Sequence, residues 1–521
     1  MRMTRLLLLS LLAVMACGVP LRAPAAALGA TAPSLPRVVR VPSGGDLQAA
    51  LDAAQPGDFI ELPAGATFVG NFTLASRPGT GWVVVYSSAF WRLPPPGVLL
   101  QPAQATLMPK IISPNALPAI RTAAGAHHYM FVGIEVTTSS ADGLNLIHLE
   151  SPAQTSVDQV PTDIVFYRCY IHGSASGNIR RGIVLNGARL AVIGSYLSDF
   201  HDRDADSQAI AGWNGPGPFT IIGNYLEAAG ENVMFGGADP TIPGLVPADI
   251  EVRGNRFAKP LSWKADEPDY AGIPWVVKNL FELKNARRVR VEGNSFEYSW
   301  FDQQPGFAIL FTVRNQDGGA PWSVVEDVAF VNNVVRHTAN GIHLLGWDNN
   351  YPSEQTKRIL IQNNLFDDVG GPRWGGLGRL FQLIDGAADV VIDHNTAFQT
   401  DSVIAAAGRA HIGFVFTNNI APHNLYGVGG DNTYGNPMLT LDTYFPFAVF
   451  ARNVLVGGNA AQYPPDNFFP ASLDDVGFVN AAAGDYRLAS TSPYANMGTD
   501  GRDIGVDVGA LVGALLQWWG P

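Results

Sequence analysis

A short pattern that recurs at intervals of 24 to 39 residues is the strongest constraint on how this chain folds. Two apolar residues stand one apart, two residues intervene, and a small polar residue, usually Asn, follows, as in the segment Val289 to Phe296. Apolar positions alternate with period two and Gly, Asn and Asp separate the segments, which predicts a β solenoid and excludes helical repeats. The polar marker position falls at Ile134, Cys169, Ser195, Asn224, Asn255, Asn294, Asn333, Asn364, Asn395, Asn419 and Asn453.

Each repeat holds a second apolar strand before its marker, for example Ile183-Val184-Leu185 and Ile309-Leu310-Phe311. Two or three such strands per turn, each stacked on its equivalent in the next turn, predict parallel sheets wound into a helix. Inward Asn side chains then need partners, and stacking amide on amide supplies them. Cys169 falls at this inward position, so we expect it to be a buried packing residue.

The open end of a solenoid needs a cap, and the segment before the repeats predicts one. Asp46 to Ala54 places Leu47, Ala50, Leu51 and Ala54 on one helical face. The stretch Asp46 to Gly65 resembles the first segment of right-handed parallel β-helix proteins of the pectate-lyase-like superfamily, including alginate lyases and chondroitin lyase B. The resemblance implies an all-β, single-stranded right-handed parallel β-helix with an N-terminal capping helix.

We divide the chain into four parts on this basis. Residues 1–27 are the predicted signal peptide, 28–128 the N-terminal cap and first coils, 129–460 the central β-helix, and 461–521 the C-terminal cap and tail. The scaffold supports lyases, hydrolases, esterases and adhesins, so fold alone does not fix the reaction.

The N-terminus has the composition of an export signal. Arg2 and Arg5 precede an apolar run that ends near Ala16, and small residues follow before Leu28. The run is too short for a membrane helix, so we expect a secreted protein, extracellular or periplasmic, with no membrane span. Cys17 at the end of the run leaves lipoprotein anchoring as an alternative. Removal or lipidation of Cys17 leaves Cys169 alone, so no internal disulfide is expected.

Overall charge narrows the choice of ligand. The chain has 33 Lys and Arg against 45 Asp and Glu, a net charge of −12, which argues against a nucleic-acid binder. A local basic segment remains between residues 278 and 290. A basic strip on an acidic, exported protein fits an acidic extracellular polysaccharide, and we expect the protein to act as a monomer.

The candidate catalytic residues lie on three successive coils. Alternation sends Glu282 and Lys284 outward, and aligning the next coil places Thr312 opposite Glu282 and Arg314 opposite Lys284. His343 continues the outward row. β-Elimination on a uronic acid needs a base for the C5 proton and a cation for the adjacent carboxylate.

The sharper hypothesis makes Lys284 the base, with a pKa lowered by neighbouring Arg314, and Arg314 the carboxylate neutraliser or the acid. This pairing resembles the Lys and Arg of the alginate and chondroitin lyase B group. The plainer alternative is that both are solvated strand ends and that Glu282 pairs with Lys284. The predicted substrate-binding residues are Arg287, Trp347, Asp348 and Asp385.

Calcium is the helper that the resemblance implies, and it requires hard oxygen ligands. Asp202, Asp204 and Asp206 stand at alternate positions, and Glu231 begins a strand one coil later. These four are the predicted metal ligands, although the segment also reads as a solvated turn.

Two alternatives to a lyase stay open. Tryptophans near the strip can stack on sugars without turnover, which would make a glycan-binding or surface protein. A glycoside hydrolase would need two carboxyl groups on opposite sides of the bond, and the short motifs of polygalacturonases are absent from the sequence. The tryptophans of the glycan-binding alternative are Trp213, Trp322, Trp347 and Trp374.

Overall fold

The computed structural model describes residues 36–302 and 304–518. The predicted signal peptide and Cys17 lie outside these residues. Within them no helix has the length and apolarity that crossing a bilayer requires.

Short strands make up most of the regular structure, beginning well before the first marker residue. The first strands are β1 (Val38–Arg40), β2 (Phe59–Leu62), β3 (Thr67–Val69), β4 (Phe72–Leu74), β5 (Val83–Ser87), β6 (Lys110–Ser113), β7 (Ile120–Thr122), β8 (His127–Val132), β9 (Glu135–Thr138), β10 (Asp142–Leu149), β11 (Thr162–Tyr167), β12 (Tyr170–His172), β13 (Asn178–Leu185) and β14 (Ala188–Ile193). The central strands are β15 (Tyr196–Phe200), β16 (Gln208–Gly212), β17 (Phe219–Ile222), β18 (Tyr225–Ala228), β19 (Glu231–Phe235), β20 (Ala248–Arg253), β21 (Arg256–Ala258), β22 (Phe281–Leu283), β23 (Ala286–Glu292), β24 (Ser295–Ser299), β25 (Phe307–Thr312), β26 (Val325–Val331), β27 (Val334–Thr338) and β28 (Asn340–Leu345). The last are β29 (Lys357–Gln362), β30 (Leu365–Val369), β31 (Phe381–Ile384), β32 (Ala388–Asp393), β33 (Thr396–Gln399), β34 (Ile404–Ala407), β35 (Val415–Thr417), β36 (Ile420–Pro422), β37 (Val428–Gly430), β38 (Val449–Ala451), β39 (Val454–Val456), β40 (Phe478–Asn480) and β41 (Asp485–Leu488).

Three parallel sheets are built from every third strand. Sheet A has 14 strands and includes β23, β26 and β29; sheet B has 13 and includes β21, β24 and β27; sheet C has 12 and includes β22, β25 and β28. Each turn of the chain therefore adds one strand to each sheet, which makes a right-handed parallel β-helix, as predicted. Strands β40 and β41 form a separate antiparallel pair.

Helices cover the ends and one flank. In the described residues the α-helices are α1 (Leu47–Ala53), α2 (Pro437–Tyr444) and α3 (Val508–Leu516). The predicted cap is α1: Asp46 accepts a hydrogen bond from the backbone N–H of Ala49, and Leu47 and Leu51 are buried. The predicted capping helix is confirmed.

A ladder of buried asparagines runs along the solenoid at the predicted marker positions. The Asn255 carboxamide oxygen accepts from the backbone N–H and from Nδ2 of Asn224, each at 2.9 Å, and the same two bonds join successive coils from Asn224 to Asn453. Asn467, which the repeat analysis did not include, accepts from Asn453 and ends the ladder. Amide dipoles thus satisfy one another inside an apolar core.

Cys169 occupies the ladder position two coils before Asn224, as predicted. Its side chain is fully buried, and its backbone N–H donates to the Ser195 hydroxyl at 3.0 Å. Burial raises the pKa of the Cys169 thiol to about 12, so it is a packing residue and not a nucleophile.

The ladder predicts a large effect of one internal substitution. Asn333→Ala removes the acceptor for Asn294 and the donor to the Val291 carbonyl, leaving buried polar groups unpaired. We expect the free energy of unfolding to fall by about 2 to 4 kcal/mol in urea denaturation. The exposed Asn350→Ala is the matched control and should change it by less than about 0.5 kcal/mol. If the two variants were equally stable, the asparagine ladder would not contribute to the free energy of unfolding.

Candidate functional site

A charged strip lies on the outer face of sheet C. Phe281 and Leu283 are buried in the core, so the alternate residues Glu282 and Lys284 face outward. On the next two coils the outward residues include Arg314, just after β25, and His343 on β28. We call Glu282, Lys284, Arg314 and His343 the charged strip.

The strand register differs from the predicted one by two residues. Glu282 pairs with Leu310, and Leu310 with His343, so the prediction that Thr312 faces Glu282 and Arg314 faces Lys284 is wrong. The stretch from Ile309 to Val313 is apolar at every alternate position, so alternation alone does not distinguish the two alignments. Because side chains alternate between the two faces of a strand, an offset of two residues leaves each side chain of β25 on the face that the sequence predicts.

Lys284 and Arg314 nevertheless lie on adjacent coils. The backbone N–H of Arg314 donates to the Lys284 carbonyl at 2.8 Å. The Arg314 charge lowers the pKa of Lys284, although it is the smallest of the influences on that group. The site brings together two cations that the sequence places 30 residues apart.

Lys284 is held in its protonated form. Its Nζ lies 3.8 Å from Oε1 of Glu282, and this carboxylate, with smaller contributions from Glu231 and Asp206, raises the pKa of Lys284 against the opposing effects of burial and Arg314. The prediction of a lowered pKa is therefore wrong, because the alternative ion pair with Glu282 forms. Glu282 is fixed in turn by Thr312 at 3.1 Å and Asn279 at 3.0 Å.

Arg314 is clamped from the loop that follows β28. Its Nη1 donates to Oδ1 of Asp348 at 2.8 Å and to the side-chain oxygen of Asn349. Oδ2 of Asp348 accepts from the backbone N–H of Asn315, and the Asp348 side chain is only 1% exposed. Asp348, predicted to bind substrate, therefore positions Arg314, whose own side chain stays 28% exposed.

His343 is neutral at physiological pH. Desolvation, helped by the Arg314 charge, lowers the pKa of His343 to about 4. Its ring packs 5.3 Å from that of Phe307, and its Nε2 is enclosed with no hydrogen-bond partner among the described residues. The residue as a whole is partly exposed, so the imidazole meets solvent through its other edge.

A second cluster adjoins the strip at Glu231, the first residue of β19. Glu231 is fully buried, accepts from Gln208 at 2.7 Å, and has one oxygen without a hydrogen-bond donor among the described residues. Burial, together with Asp206 and Glu282, raises the pKa of Glu231. Lys278 lies 2.6 Å from Asp206 and 3.8 Å from Glu231.

The predicted calcium ligands do not converge. Oδ1 of Asp202 accepts from the backbone N–H groups of Asp204 and Ala205 within a turn, and Asp204 is exposed. Asp206 and Glu231 share the Lys278 ammonium. In residues 36–302 and 304–518 no group of three or more His, Cys, Asp or Glu side chains could hold a metal ion. As they are arranged, these four residues do not fit a calcium ion.

Lys259 fixes the backbone that carries Glu231, and sequence reasoning missed it. Its buried ammonium donates to the carbonyls of Ala228, Ala229 and Gly230 and to the Asn232 side chain, at 2.7 to 3.0 Å. Burial lowers the pKa of Lys259 to about 7. The four oxygens around Nζ act in the opposite direction, because they accept hydrogen bonds from the charged ammonium. No repeat pattern marks Lys259, because it lies in a long connection between β21 and β22.

Loops border the strip along both ends of the sheet C strands. On one side Asp239 accepts from the backbone of Gly319 at 2.7 Å, and Trp322 donates to the Leu245 carbonyl at 3.0 Å. On the other side loop 259–280 reaches loop 370–380 through the Glu267–Arg373 ion pair at 2.9 Å. These contacts tie together loops from coils that are not neighbours in the chain.

The remaining predicted residues are more scattered. Arg287 lies on β23 of sheet A, and Asp385 lies in the turn after β31. Trp347 is partly exposed, with the Arg409 guanidinium 5.8 Å from its ring centroid. Trp374 is buried and donates to Asp368.

Two concave regions lie away from the strip. One, of about 300 Å³, covers the outer face of sheet A, where Arg189 and Arg288 are already paired with Asp163 and Asp249. The other, of about 610 Å³, lies beside the C-terminal segment near His394. Among the described residues the first has no histidine in its lining and the pKa of His394 in the second is raised, whereas the pKa of His343 is lowered, so the chemistry favours the strip.

Solved structures show where this architecture occurs. The alginate lyase AlyGC of polysaccharide lyase family 6 superposes with a TM-score of 0.51 at 12% identity, over 94% of this chain and 59% of that one. This chain has the same fold. The catalytic unit of a GH87 α-1,3-glucanase from Streptomyces thermodiastaticus gives 0.49 at 14% identity, over 78% and 66% of the two chains. Pectate lyase Pel9A gives 0.37 at 13% identity, over 91% and 96%.

These likenesses extend to the fold and no further. The chain spans less than two thirds of the length of AlyGC and of the glucanase. No protein-family model and no curated protein sequence matches it.

The contacts of Lys259 predict a structural phenotype at the site. Lys259→Met keeps the apolar stem but removes the donor to the buried carbonyls of Ala228 and Gly230 and to the Asn232 side chain, while the Ala229 carbonyl still accepts from the backbone N–H of Lys278. We expect the free energy of unfolding to fall by about 3 kcal/mol or more, measured by urea denaturation. Lys357→Met, which removes a partly exposed ammonium, should change it by less than about 1 kcal/mol. A Lys259→Met variant as stable as the parent would show that the four oxygens do not need the ammonium.

Proposed function

We propose that the protein is a polysaccharide lyase that cleaves an acidic, uronic-acid-containing polymer by β-elimination. The observation that carries the proposal is that two partly exposed cations, Lys284 and Arg314, and a neutral imidazole, His343, lie on one face of sheet C on three successive coils. Cations and a neutral base are what the elimination requires. The predicted export of the chain and the polymer-acting enzymes that share its fold support the same substrate class.

The protonation states assign roles that differ from the initial hypothesis. Neutral His343 accepts the proton from C5 of the uronate. Arg314 neutralises the carboxylate on C5 and stabilises the enolate-like intermediate, since guanidinium groups pair well with carboxylates and do not lose a proton. Protonated Lys284 donates a proton to the departing O4. The C5–H and C4–O4 bonds break, and a C4–C5 double bond forms.

The enclosure of the carboxylates favours a lyase over a hydrolase. A glycosidase needs two carboxyl groups that reach opposite sides of the scissile bond. Glu231 is 0% exposed and Glu282 is 3% exposed, and both are bonded to neighbouring side chains. They are better suited to pairing with Lys284 and Lys278 than to contacting sugar.

The first test is turnover on a panel of uronic-acid polymers. We expect the parent protein to produce the ultraviolet absorbance of an unsaturated uronate, and Lys284→Ala and His343→Ala each to lower kcat roughly 100-fold to 10,000-fold. Arg288→Gln, on the outer face of sheet A, is the matched control and should leave the rate unchanged. Cleavage that yields saturated reducing ends would instead identify a hydrolase, and binding without turnover a glycan-binding protein.

The pH profile separates the two candidate bases. A neutral His343 must be deprotonated to act, so the rate should rise with pH near its pKa of about 4 and then stay level through neutral pH. If Lys284 were the base, its raised pKa would make the rate climb far into the alkaline range. Initial rates across this range, with circular dichroism to confirm folding at each pH, decide between them.

A further inference from the structure

Three arginines that form no ion pair with any other described residue lie beyond the charged strip, and one of them, Arg181, is three coils before Lys284. Arg181 on β13 pairs in register with Gln208, and Gln208 with Glu231, while β19 pairs with β22. Neighbouring strands are separated by about 4.8 Å, so Arg181 lies roughly 14 Å along the solenoid axis from Lys284. One sugar ring does not span that distance.

Arg181 has neutral partners only. Its Nε donates to Oε1 of Gln208 at 2.9 Å, and its Nη1 to Oδ1 of Asn145 at 3.4 Å. Within the part of the chain that the structure describes, no carboxylate lies within ion-pair distance of it, and its Nη2 makes no hydrogen bond. Burial lowers the pKa of Arg181 to about 10, so the guanidinium stays charged at neutral pH.

Two neighbouring arginines share this feature. Nε of Arg180 donates to the backbone carbonyl of Asp206 at 3.0 Å, and Arg203 donates to the Asn178 side chain and to a backbone carbonyl. The Asp206 carboxylate in this region is already bound by Lys278 at 2.6 Å. Sheet A shows the contrast, since Arg189 there makes two bonds to one aspartate.

An aromatic ring accompanies Arg181. The guanidinium carbon lies 5.4 Å from the ring centroid of Trp213, which is partly exposed, and the backbone N–H of Trp213 is held by Asn186 at 2.9 Å. Ring and guanidinium therefore form one surface. Indole rings stack on the apolar faces of sugars, and a guanidinium pairs with a carboxylate.

We propose that Arg181 and Trp213 form a second subsite for an anionic sugar unit, separate from the reacting one. The subsite rests on the proposed function, because it extends the same face of sheet C to a more distant unit of the same polymer. Arg181 binds the carboxylate of that unit, and Trp213 packs against its ring. The polymer is thereby held along the four coils from that of Arg181 to that of Lys284, and affinity depends on chain length.

Binding of size-defined oligouronates tests the subsite without turnover. Titration calorimetry with oligomannuronates and oligogalacturonates, from disaccharide to octasaccharide, is carried out on Lys284→Ala protein to prevent cleavage. Adding Arg181→Gln should weaken octasaccharide binding roughly tenfold or more and leave disaccharide binding unchanged. Arg181→Lys keeps a positive charge but lacks the planar guanidinium that can make two parallel hydrogen bonds. Its octasaccharide affinity should therefore lie between that of the parent and that of Arg181→Gln. Adding the control Arg288→Gln should change neither.

An uncharged oligosaccharide distinguishes the contribution of the Arg181 charge to binding from that of the Trp213 ring. Carboxyl-reduced octasaccharides should lose affinity on Trp213→Ala but not on Arg181→Gln, and the salt dependence of acidic octasaccharide binding should decrease in Arg181→Gln. If Arg181→Gln, folded by circular dichroism, binds the acidic octasaccharide as tightly as its parent, the subsite is refuted. It is also refuted if no acidic oligosaccharide of any length binds.

The outcome is independent of the lyase assay. Arg181-dependent binding in a protein that yields no unsaturated product supports the subsite and overturns the proposed reaction. Turnover that is unaffected by chain length and by Arg181→Gln supports the reaction and overturns the subsite.

Discussion

The hydrogen bond from one buried asparagine to the next holds the coils in register. Each carboxamide oxygen accepts two N–H groups from the preceding coil, so every amide inside the core is satisfied only when its neighbour is in place. An unpaired amide in an apolar core is costly, and this makes a one-residue slip of any single coil unfavourable. The straight rows of side chains on the outside of sheet C depend on this internal alignment.

Those rows place charges where burial and neighbours decide their protonation. Glu282 keeps Lys284 protonated, Asp348 fixes Arg314, and the enclosure of His343 keeps it neutral. Lys284, Arg314 and His343 lie on three successive coils, so their relative positions would change if the coils shifted relative to one another. The rigid stack of coils therefore holds the site residues in a fixed geometry, as a tightly packed second layer of residues does in a globular enzyme.

Arg181 on sheet C differs in its partners from two arginines on sheet A. Arg189 and Arg288 each form a bidentate pair with an aspartate and so have little attraction left for a ligand. On sheet C Arg181 bonds only to amides. A long polyanion would find its complementary surface along sheet C, in a protein whose net charge is negative.

The sequence by itself determined the solenoid, the capping helix, the ladder and the outward direction of Glu282, Lys284 and His343, because period-two alternation and a marker every coil are local signals. It did not determine the two-residue offset between β22 and β25, since an apolar run satisfies either alignment. It also did not determine the protonation of Lys284, which is set by nearby carboxylates, Glu282 foremost, against the effect of burial, nor the roles of Lys259 and Asp348, which lie in loops outside the repeat. Only the tertiary structure decided these, because pKa values and loop contacts arise from groups that are distant in the chain and meet when the coils stack.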